Sequence, residues 1–228
     1  MTHPDSDSEL HLTVVESALI GNVDLERIKT VFATNYREAN LAYLEKSLGT
    51  LAYIALAEDG AGELVGFAFG ESRVLDLPRL PQQLVRLAGL CCVNASHRRH
   101  HLFGKLESLA LNAGGLPNQP CVLGTGRMAH PASFRGMASN PSSVPHRGSP
   151  PTEWQKQVGI AIATAYRTPV FDPETFVCHG SGVPIGFPVI EIDASPEEWE
   201  LFAPVDRSKG DSLLGISWNP TPPEGWLA

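Results

Sequence analysis

The sequence predicts a mixed α/β domain: a central, partly antiparallel sheet flanked by helices on both faces. Three observations lead to this fold class. Short β-branched or apolar runs alternate with amphipathic segments, a Gly-rich turn joins two of the runs as a hairpin, and one run is apolar on both sides. A strand that is apolar on both sides is typical of the centre of a sheet whose two faces are covered.

The composition limits the class of protein. The chain has 228 residues, 43% of them hydrophobic and 18% charged, which excludes a disordered or collagen-like chain. The formal net charge of −8 argues against a nucleic-acid partner. No apolar stretch approaches the ~18 residues needed to span a bilayer, and the polar N-terminus lacks the parts of a signal peptide. We therefore expect a cytoplasmic protein with no membrane partner.

Residues 1–9 are expected to be a disordered lead-in, and residues 10–228 a single domain. The first part of that domain begins with a β-branched strand at 10–18. Apolar residues at spacings of three and four then predict one amphipathic helix over residues 25–47. Two apolar runs, 53–57 and 64–71, flank a Gly-rich turn and predict a hairpin.

A proline-containing loop at residues 77–81 is predicted to lead into the central strand, residues 84–93. A helix is expected from near His101 to the Gly114-Gly115 pair, followed by a short strand at 121–125. These elements complete the order strand, helix, hairpin, strand, helix, strand.

Residues 126–151 are rich in loop-forming residues, with a short helix predicted at 132–138. A long irregular segment of this kind is usually functional or mobile. Thr152 is expected to cap a further helix, and residues 188–193 and 212–218 are predicted to be closing strands.

The segment most informative about chemistry is 90–111, LCCVNASHRRHHLFGKLESLAL. A buried strand ends at Val93, a short loop carries three His and two Arg, and a helix follows. Such a loop directs backbone N–H groups and the positive end of a helix dipole outward. The segment therefore predicts an anion site, and several converging donors favour a pyrophosphate over a carboxylate. The alternative is an ordinary solvated basic turn.

This strand, turn and helix resemble the central motif of the GCN5-related N-acetyltransferases, Arg/Gln-x-x-Gly-x-Gly/Ala followed by an amphipathic helix. With Arg98 in the leading position, Leu102 falls on the usual aliphatic position and Leu106 on the helix leucine. His101 and Phe103 then replace the two small residues of the motif.

In this register Gly104 comes one place late; starting at Arg99 instead puts it on the last glycine but spoils the leucine spacing. The order of predicted elements over residues 10–125 is also similar to the family's. The resemblance therefore implies a donor-binding core at 10–125, with the irregular loop and the C-terminal helix and strands in 126–228.

The resemblance implies an N-acetyltransferase that uses acetyl-CoA as co-substrate. In the family the central strand splays from its neighbour, and the pantetheine arm pairs with exposed backbone there. The implied pantetheine positions are Cys91, Cys92 and Val93, and the implied pyrophosphate loop consists of Arg98, Arg99, His100, His101, Leu102, Phe103 and Gly104.

The family mechanism is direct attack of an acceptor amine on the thioester, with a base for its proton and often a Tyr for the departing thiolate. The implied catalytic residues here are Glu71, the carboxylate nearest the central strand, and Tyr166 on the Thr152-capped helix. An apolar helix also suits a core tyrosine, which is the alternative for Tyr166. Arg127 and His130, which follow the strand at 121–125, are candidates for the wall of the acceptor pocket.

Metal binding is not expected. His97, His100 and His101 share one crowded loop beside Cys91 and Cys92, whereas structural zinc sites use separated ligand pairs. The four cysteines of the chain are predicted to be reduced packing residues, not nucleophiles.

Two other functions stay open. The donor could be an acyl carrier protein, whose phosphopantetheine would meet the basic loop, or the chain could bind acyl-CoA without catalysis. The acceptor, a small-molecule or peptide amine, is not identified. Trp218 and Trp226 could pack on the chain's own core or on a second subunit in a homodimer.

Overall fold

An eight-stranded mixed sheet with helices packed against it forms the frame of the protein. The structure is a computed structural model; it describes residues 10–115 and 119–227, and only the backbone of Arg99 and His100. The predicted lead-in at 1–9 lies outside the described residues.

The strands are β1 His11–Glu16, β2 Tyr36–Arg37, β3 Tyr53–Glu58, β4 Leu64–Leu77, β5 Leu80–Val93, β6 Val122–Met128, β7 Phe171–Asp172, β8 Val177–Cys178, β9 Phe187–Pro188 and β10 Ser212–Asn219. The helices are α1 Asn22–Asn35, α2 Leu41–Leu48, α3 Leu102–Asn112, α4 Pro131–Ala138, α5 Glu153–Ala165 and α6 Pro196–Glu200.

The strand order in the large sheet is β1-β3-β4-β5-β6-β10-β8-β7. Every neighbouring pair is antiparallel except β5 and β6, which are parallel. The short strands β2 and β9 form a separate antiparallel pair. The predicted fold class, a mixed and partly antiparallel sheet, is therefore confirmed.

Side-chain size along β4 explains how helices cover both of its faces. Phe67 and Phe69 point toward the core cluster that includes residues of α1. Gly66 and Gly70 point the other way, where a Cβ on Gly70 would lie 3.0 Å from the Cβ of Ala110 in α3. Alternation along the strand thus places α1 and α3 on opposite faces, with small residues allowing α3 to approach closely.

The prediction of a single helix over residues 25–47 is wrong, because α1 ends at Asn35 and α2 begins at Leu41. Between them Glu38 has a left-handed φ of 54°, which a continuous helix does not allow. The Asn40 side chain then caps α2 by accepting a hydrogen bond from the Tyr43 N–H at 3.0 Å.

The loop predicted at 77–81 is also wrong. The two strands β4 and β5 continue to a tight turn at Pro78 and Arg79, and Arg79 takes a positive φ of 67° there. The central strand is consequently longer than predicted, but its position at the centre of the sheet is confirmed.

Most of the C-terminal elements match the prediction. Strand β6, the short helix α4 and strand β10 are confirmed, and Thr152 caps α5 with a complete capping box. The strand predicted at 188–193 is wrong: only Phe187–Pro188 pairs, and the chain then continues irregularly. We call residues 184–193 the crossover segment.

The tryptophans pack inside the chain. Trp226 and Trp218 are buried, and their rings meet edge to face with centroids 5.5 Å apart. Trp154 of α5 contacts Trp226 in the same way. Among the described helices none is both long and apolar enough to cross a bilayer.

Candidate functional site

The parallel strands β5 and β6 separate at the centre of the sheet. They pair from Val85–Leu123 to Ala88–Gly126, and no further pairs form between them. Strand β5 nevertheless continues to Val93, still paired with β4 on its other side. One edge of residues 89–93 therefore faces a gap where β6 would otherwise lie.

A β-bulge in β5 coincides with this separation. Ala88 is opposite Gly70 of β4 and Cys91 is opposite Ala68, so Gly89 and Leu90 together face the single residue Phe69. A bulge bends its strand and increases the local twist. The bend accounts for the departure of β5 from β6 at this point.

The backbone groups facing the gap follow from the pairing with β4. The Asn94 N–H donates to the Val65 carbonyl of β4 at 2.8 Å. Because directions alternate along a strand, Cys92 also points toward β4, and Cys91 and Val93 point toward the gap. The Val93 carbonyl accepts a hydrogen bond from Arg98 Nε at 3.2 Å.

A cavity of about 620 Å³ occupies the gap and is lined from both faces of the sheet. From the β5 and β6 edges it is lined by Ala88, Gly89, Leu90, Cys91, Thr125, Gly126, Arg127 and Met128. The rest of the lining comes from strand β2, from the helices and the residues next to them, and from the crossover segment, and includes Tyr36, Tyr43, Lys46, Phe103, Glu107, His130, Tyr166, Ile185 and Ile192.

Tyr166 lies at the point where the two strands part. Its hydroxyl donates to the Ala88 carbonyl at 2.8 Å and is 3.1 Å from Thr125 Oγ1. The side chain is 4% exposed, and this burial raises the pKa of the Tyr166 phenol above its ordinary value. The predicted catalytic tyrosine is thus a lining residue of the cavity; its catalytic role stays a prediction.

Glu71 is placed differently. Its carboxylate accepts the Ala52 N–H at 2.9 Å and forms an ion pair with the Arg73 guanidinium, and Glu71 does not line the cavity. Arg73 in turn donates to the carbonyls of Thr50, after α2, and Ala165, next to Tyr166. This geometry favours positioning of the Tyr166 backbone over proton abstraction by Glu71.

The predicted phosphate loop is a turn of 3₁₀ helix, residues 95–100, followed by α3. His101, on the first glycine position of the motif, has a left-handed φ of 53°. Leu102 is buried, whereas Phe103 is 51% exposed and lines the cavity. A Cβ on Gly104 would meet no atom within 4 Å. The side chains of Arg99 and His100 are outside the described residues.

Arg98 connects this loop to the crossover segment. In addition to its bond to Val93, the guanidinium donates to the Ile190 carbonyl at 3.2 Å. The crossover segment is held at its other end by the pairing of Phe187–Pro188 with Tyr36–Arg37. It therefore runs from the α1–α2 junction to the phosphate loop.

Glu107 is the acidic residue that lines the cavity within the described part of the chain, and the sequence interpretation missed it. Burial raises the pKa of its carboxyl group. It follows Phe103 by four residues on α3, so helical spacing would have placed both on one face.

His130 also lines the cavity, as predicted for the acceptor wall. Its Nδ1 accepts the Ala132 N–H at 3.1 Å and caps α4. Burial, with a smaller contribution from Arg207, lowers the pKa of the His130 imidazole. An imidazole that uses Nδ1 as an acceptor carries its proton on Nε2 and can act only as a donor there.

Cys92 and Cys178 are buried in the core as predicted, whereas Cys91 lines the cavity. Cys92 is buried with its Sγ 3.7 Å from the Val31 carbonyl, and burial raises the pKa of its thiol to about 12. Among the side chains that the structure describes, no three His, Cys, Asp or Glu form a group that could hold a metal ion.

No protein family model matches the chain, and no curated protein matches it. Solved structures of N-acetyltransferases, the superfamily that the sequence resembles, do match. One is the GNAT family N-acetyltransferase from Escherichia coli in complex with CoA, at 18% identity over 59% of this chain and 71% of that chain, with a TM-score of 0.40.

A second is the diaminobutyrate acetyltransferase from Paenibacillus lautus in complex with L-2,4-diaminobutyric acid and coenzyme A. It is 17% identical, covers 96% of this chain and 99% of that one, and has a TM-score of 0.39. A third is a fungal multi-domain β-N-acetylglucosaminidase with a GCN5-related glucosamine N-acetyltransferase region, at 15% identity over 53% of this chain and a TM-score of 0.39. That match spans 14% of the fungal chain.

Proposed function

We propose that this chain is an N-acyltransferase of the GCN5-related superfamily that transfers acetyl from acetyl-CoA to an amine. The observation that carries the proposal is the parting of β5 and β6 after Ala88–Gly126, with the Tyr166 hydroxyl at the parting point. In the family that the sequence resembles, the donor's pantetheine arm lies in such a gap.

The gap suits an extended arm that carries amide groups. The Cys91 backbone is directed into it and pairs with none of the described strands on that side, so it can exchange hydrogen bonds with a pantetheine amide. The Val93 carbonyl can accept a further bond, since a carbonyl has two lone pairs and Arg98 occupies one.

The start of α3 suits the pyrophosphate. The Lys105 N–H donates to the His101 carbonyl at the start of this helix, and the preceding N–H groups, those of Leu102, Phe103 and Gly104, have no acceptor within α3 itself. Free N–H groups and the helix dipole attract phosphate. The open space beside Gly104 permits close approach, but Phe103 stands where the motif has a small residue.

The proposed reaction is a direct transfer. The acceptor nitrogen attacks the thioester carbonyl carbon, the C–N bond forms and the C–S bond breaks, and the thiolate of CoA leaves. In the proposed step Tyr166 donates a hydrogen bond or a proton to the departing sulfur. Its hydroxyl would turn from the Ala88 carbonyl to do so.

The proton of the amine needs an acceptor. Glu107 is a candidate base, because it lines the cavity and its raised pKa brings it closer to neutrality, where a base is most effective. Water in the cavity is the alternative route for the proton.

A thermal-shift experiment tests donor binding. Because a ligand that binds only the folded state stabilises it, CoA and acetyl-CoA should raise Tm, and dephospho-CoA should raise it nearly as much. Gly126→Val should abolish the shift because Gly126 lines the gap. Gly124→Val, on the same face of β6 but outside the cavity, should keep it.

One observation favours the alternative donor, an acyl carrier protein. The Arg98 guanidinium already donates to the Val93 and Ile190 carbonyls, so it is less available for the pyrophosphate of CoA. For that donor, phosphopantetheine should shift Tm as much as CoA does. The absence of a shift with any of these ligands would contradict the proposed function. A shift without acetylation of any amine would indicate a non-catalytic acyl-CoA-binding protein.

A further inference from the structure

Arg127 is a cation on the cavity wall that has no acidic partner among the described residues. The other two cationic residues that line this cavity differ from it. Arg207 forms an ion pair with Glu191, and Lys46 is exposed on α2. A half-buried guanidinium without a counter-ion is costly unless a ligand supplies the charge.

The side chain is oriented by its surroundings. Arg127 Nε donates to Ser212 Oγ of the neighbouring strand β10 at 3.1 Å. The Cys178 thiol also lies beside the guanidinium, and no described carboxylate or carbonyl accepts a hydrogen bond from the N–H groups at its end. Those groups are the part of the side chain that can bind two oxygens side by side.

Two ionisable groups beside Arg127 are kept in their neutral forms. Burial raises the pKa of the Cys178 thiol and of the Tyr166 phenol. An arginine stays charged at any relevant pH. The Arg127 side of the cavity therefore carries a fixed positive charge in a protein whose net charge is −8.

The location of Arg127 links it to the reaction site. It lies two residues beyond Thr125 on β6, and alternation puts both side chains on one face, the face where Thr125 meets the Tyr166 hydroxyl. Two residues of strand span roughly 7 Å. A group bound by Arg127 is thus separated by only a few bonds from an atom that reacts beside Tyr166.

We infer that Arg127 binds the carboxylate of the acceptor, and that the acceptor is a small amino acid whose amine is acylated. This inference rests on the proposed function and adds the chemical class of the acceptor. A peptide N-terminus fits less well, because the carboxyl group next to its amine is part of a peptide bond and the free carboxylate lies at the far end of the peptide. The pyrophosphate of CoA also fits less well as the ligand of Arg127. Its proposed loop precedes α3, and α3 packs on the opposite face of the sheet from α1.

The test compares acids with their amides. Each of the twenty standard L-amino acids and its carboxamide are assayed with acetyl-CoA by release of CoA, and by thermal shift with and without CoA. For at least one pair, the acid should exceed the amide in kcat/KM by about 10- to 100-fold, the range for charge-assisted hydrogen bonds. This comparison in the unmodified protein does not depend on how any variant folds.

Three variants locate the effect. Arg127→Gln should lower kcat/KM for the acid by about 10- to 100-fold and leave the amide within about threefold. Arg127→Lys should fall between, since it keeps the charge and loses the paired donors. Arg147→Gln, the same change at an exposed arginine outside this cavity, should match the unmodified protein.

The outcomes separate the two proposals. Turnover of amines with equal rates for acids and amides would overturn the acceptor inference and leave the transferase function standing. Loss of the CoA thermal shift in folded Arg127→Gln would also overturn it, because Arg127 would then serve the donor. If CoA does not bind at all, the proposed function fails. In that case thermal shift with the acids alone decides about the carboxylate site. An increase in Tm with an acid but not with its amide, lost in Arg127→Gln, would support the site. No increase in Tm with any acid would overturn it.

Discussion

Gly89 occupies the bulge of β5, and replacing it with alanine should disturb the strand where it leaves β6. A Cβ at this position would lie 2.4 Å from Leu51 Cδ1, 2.8 Å from the Phe69 Cβ and 3.0 Å from the Phe69 carbonyl oxygen. Leu51 can rotate, since the atom is the end of a flexible side chain. The two Phe69 atoms belong to or adjoin the backbone of β4, so they move only if the strand moves.

Overpacking of this kind costs about 1–3 kcal/mol. Any Gly→Ala change also lowers the entropy of the unfolded chain, which stabilises the protein by about 0.4–1 kcal/mol. Gly124→Ala measures that second effect alone, because its Cβ would meet only Ser217, at 3.6 Å. The difference between the two variants should therefore be about 1–3 kcal/mol.

Thermal unfolding followed by circular dichroism measures this difference. At about 2–4 °C per kcal/mol for a chain of this size, Tm of Gly89→Ala should lie about 2–12 °C below that of Gly124→Ala. The affinity for CoA should fall as well, because the gap-facing edge of β5 begins at Gly89. Equal Tm values for the two variants would refute the claim that the bulge is packed without space for a methyl group.

Three further changes test the site. Tyr166→Phe should lower kcat by about 10²–10⁴-fold with the Kd for CoA unchanged, and full activity would return the residue to a packing role. Replacing both Arg98 and Arg99 with Ala should weaken CoA binding, measured by calorimetry, about 10-fold or more. The double change should also lower the free energy of unfolding by about 1–2 kcal/mol, because Arg98 donates to two carbonyls. Unchanged affinity would mean that the loop is ordinary surface. Glu107→Gln should stabilise the protein at neutral pH but not at acidic pH. A carboxyl group whose pKa is raised by folding lowers the stability of the protein as pH rises from the unfolded to the folded pKa. Urea unfolding at several pH values measures this, and a difference that does not depend on pH would contradict it.

Much of the fold was predictable because its signals are local. The two-sided apolar run before Val93 identifies a central strand, and the Thr152 capping box fixes the start of α5. Where prediction failed, a local signal was missing. The break between α1 and α2 depends on a left-handed backbone at Glu38, a residue type that gives no warning of it.

The site was less predictable because its geometry depends on distant residues. The bulge exists only in the register between β4 and β5, which neither strand encodes by itself. Glu71 was the acidic candidate at the end of the predicted hairpin strand, but it pairs with Arg73 and does not line the cavity. The crossover segment is held by α1 and by Arg98, far away in the chain, so its local sequence suggested a regular strand instead.

The bulge has a further consequence for how β5 tolerates change. Leu87 before the bulge and Gly89 within it point toward the same core as Phe69; after it, Cys92 does so, while Val93 points toward α3. The strand thus carries two phases of side-chain alternation, joined by one extra residue. Deleting Leu90 would leave Gly89 alone opposite Phe69; Cys92 and Val93 would keep their faces, but the bend that carries β5 away from β6 would be lost. The gap between β5 and β6 thus depends on one extra residue in β5 and on the lack of a side chain at Gly89.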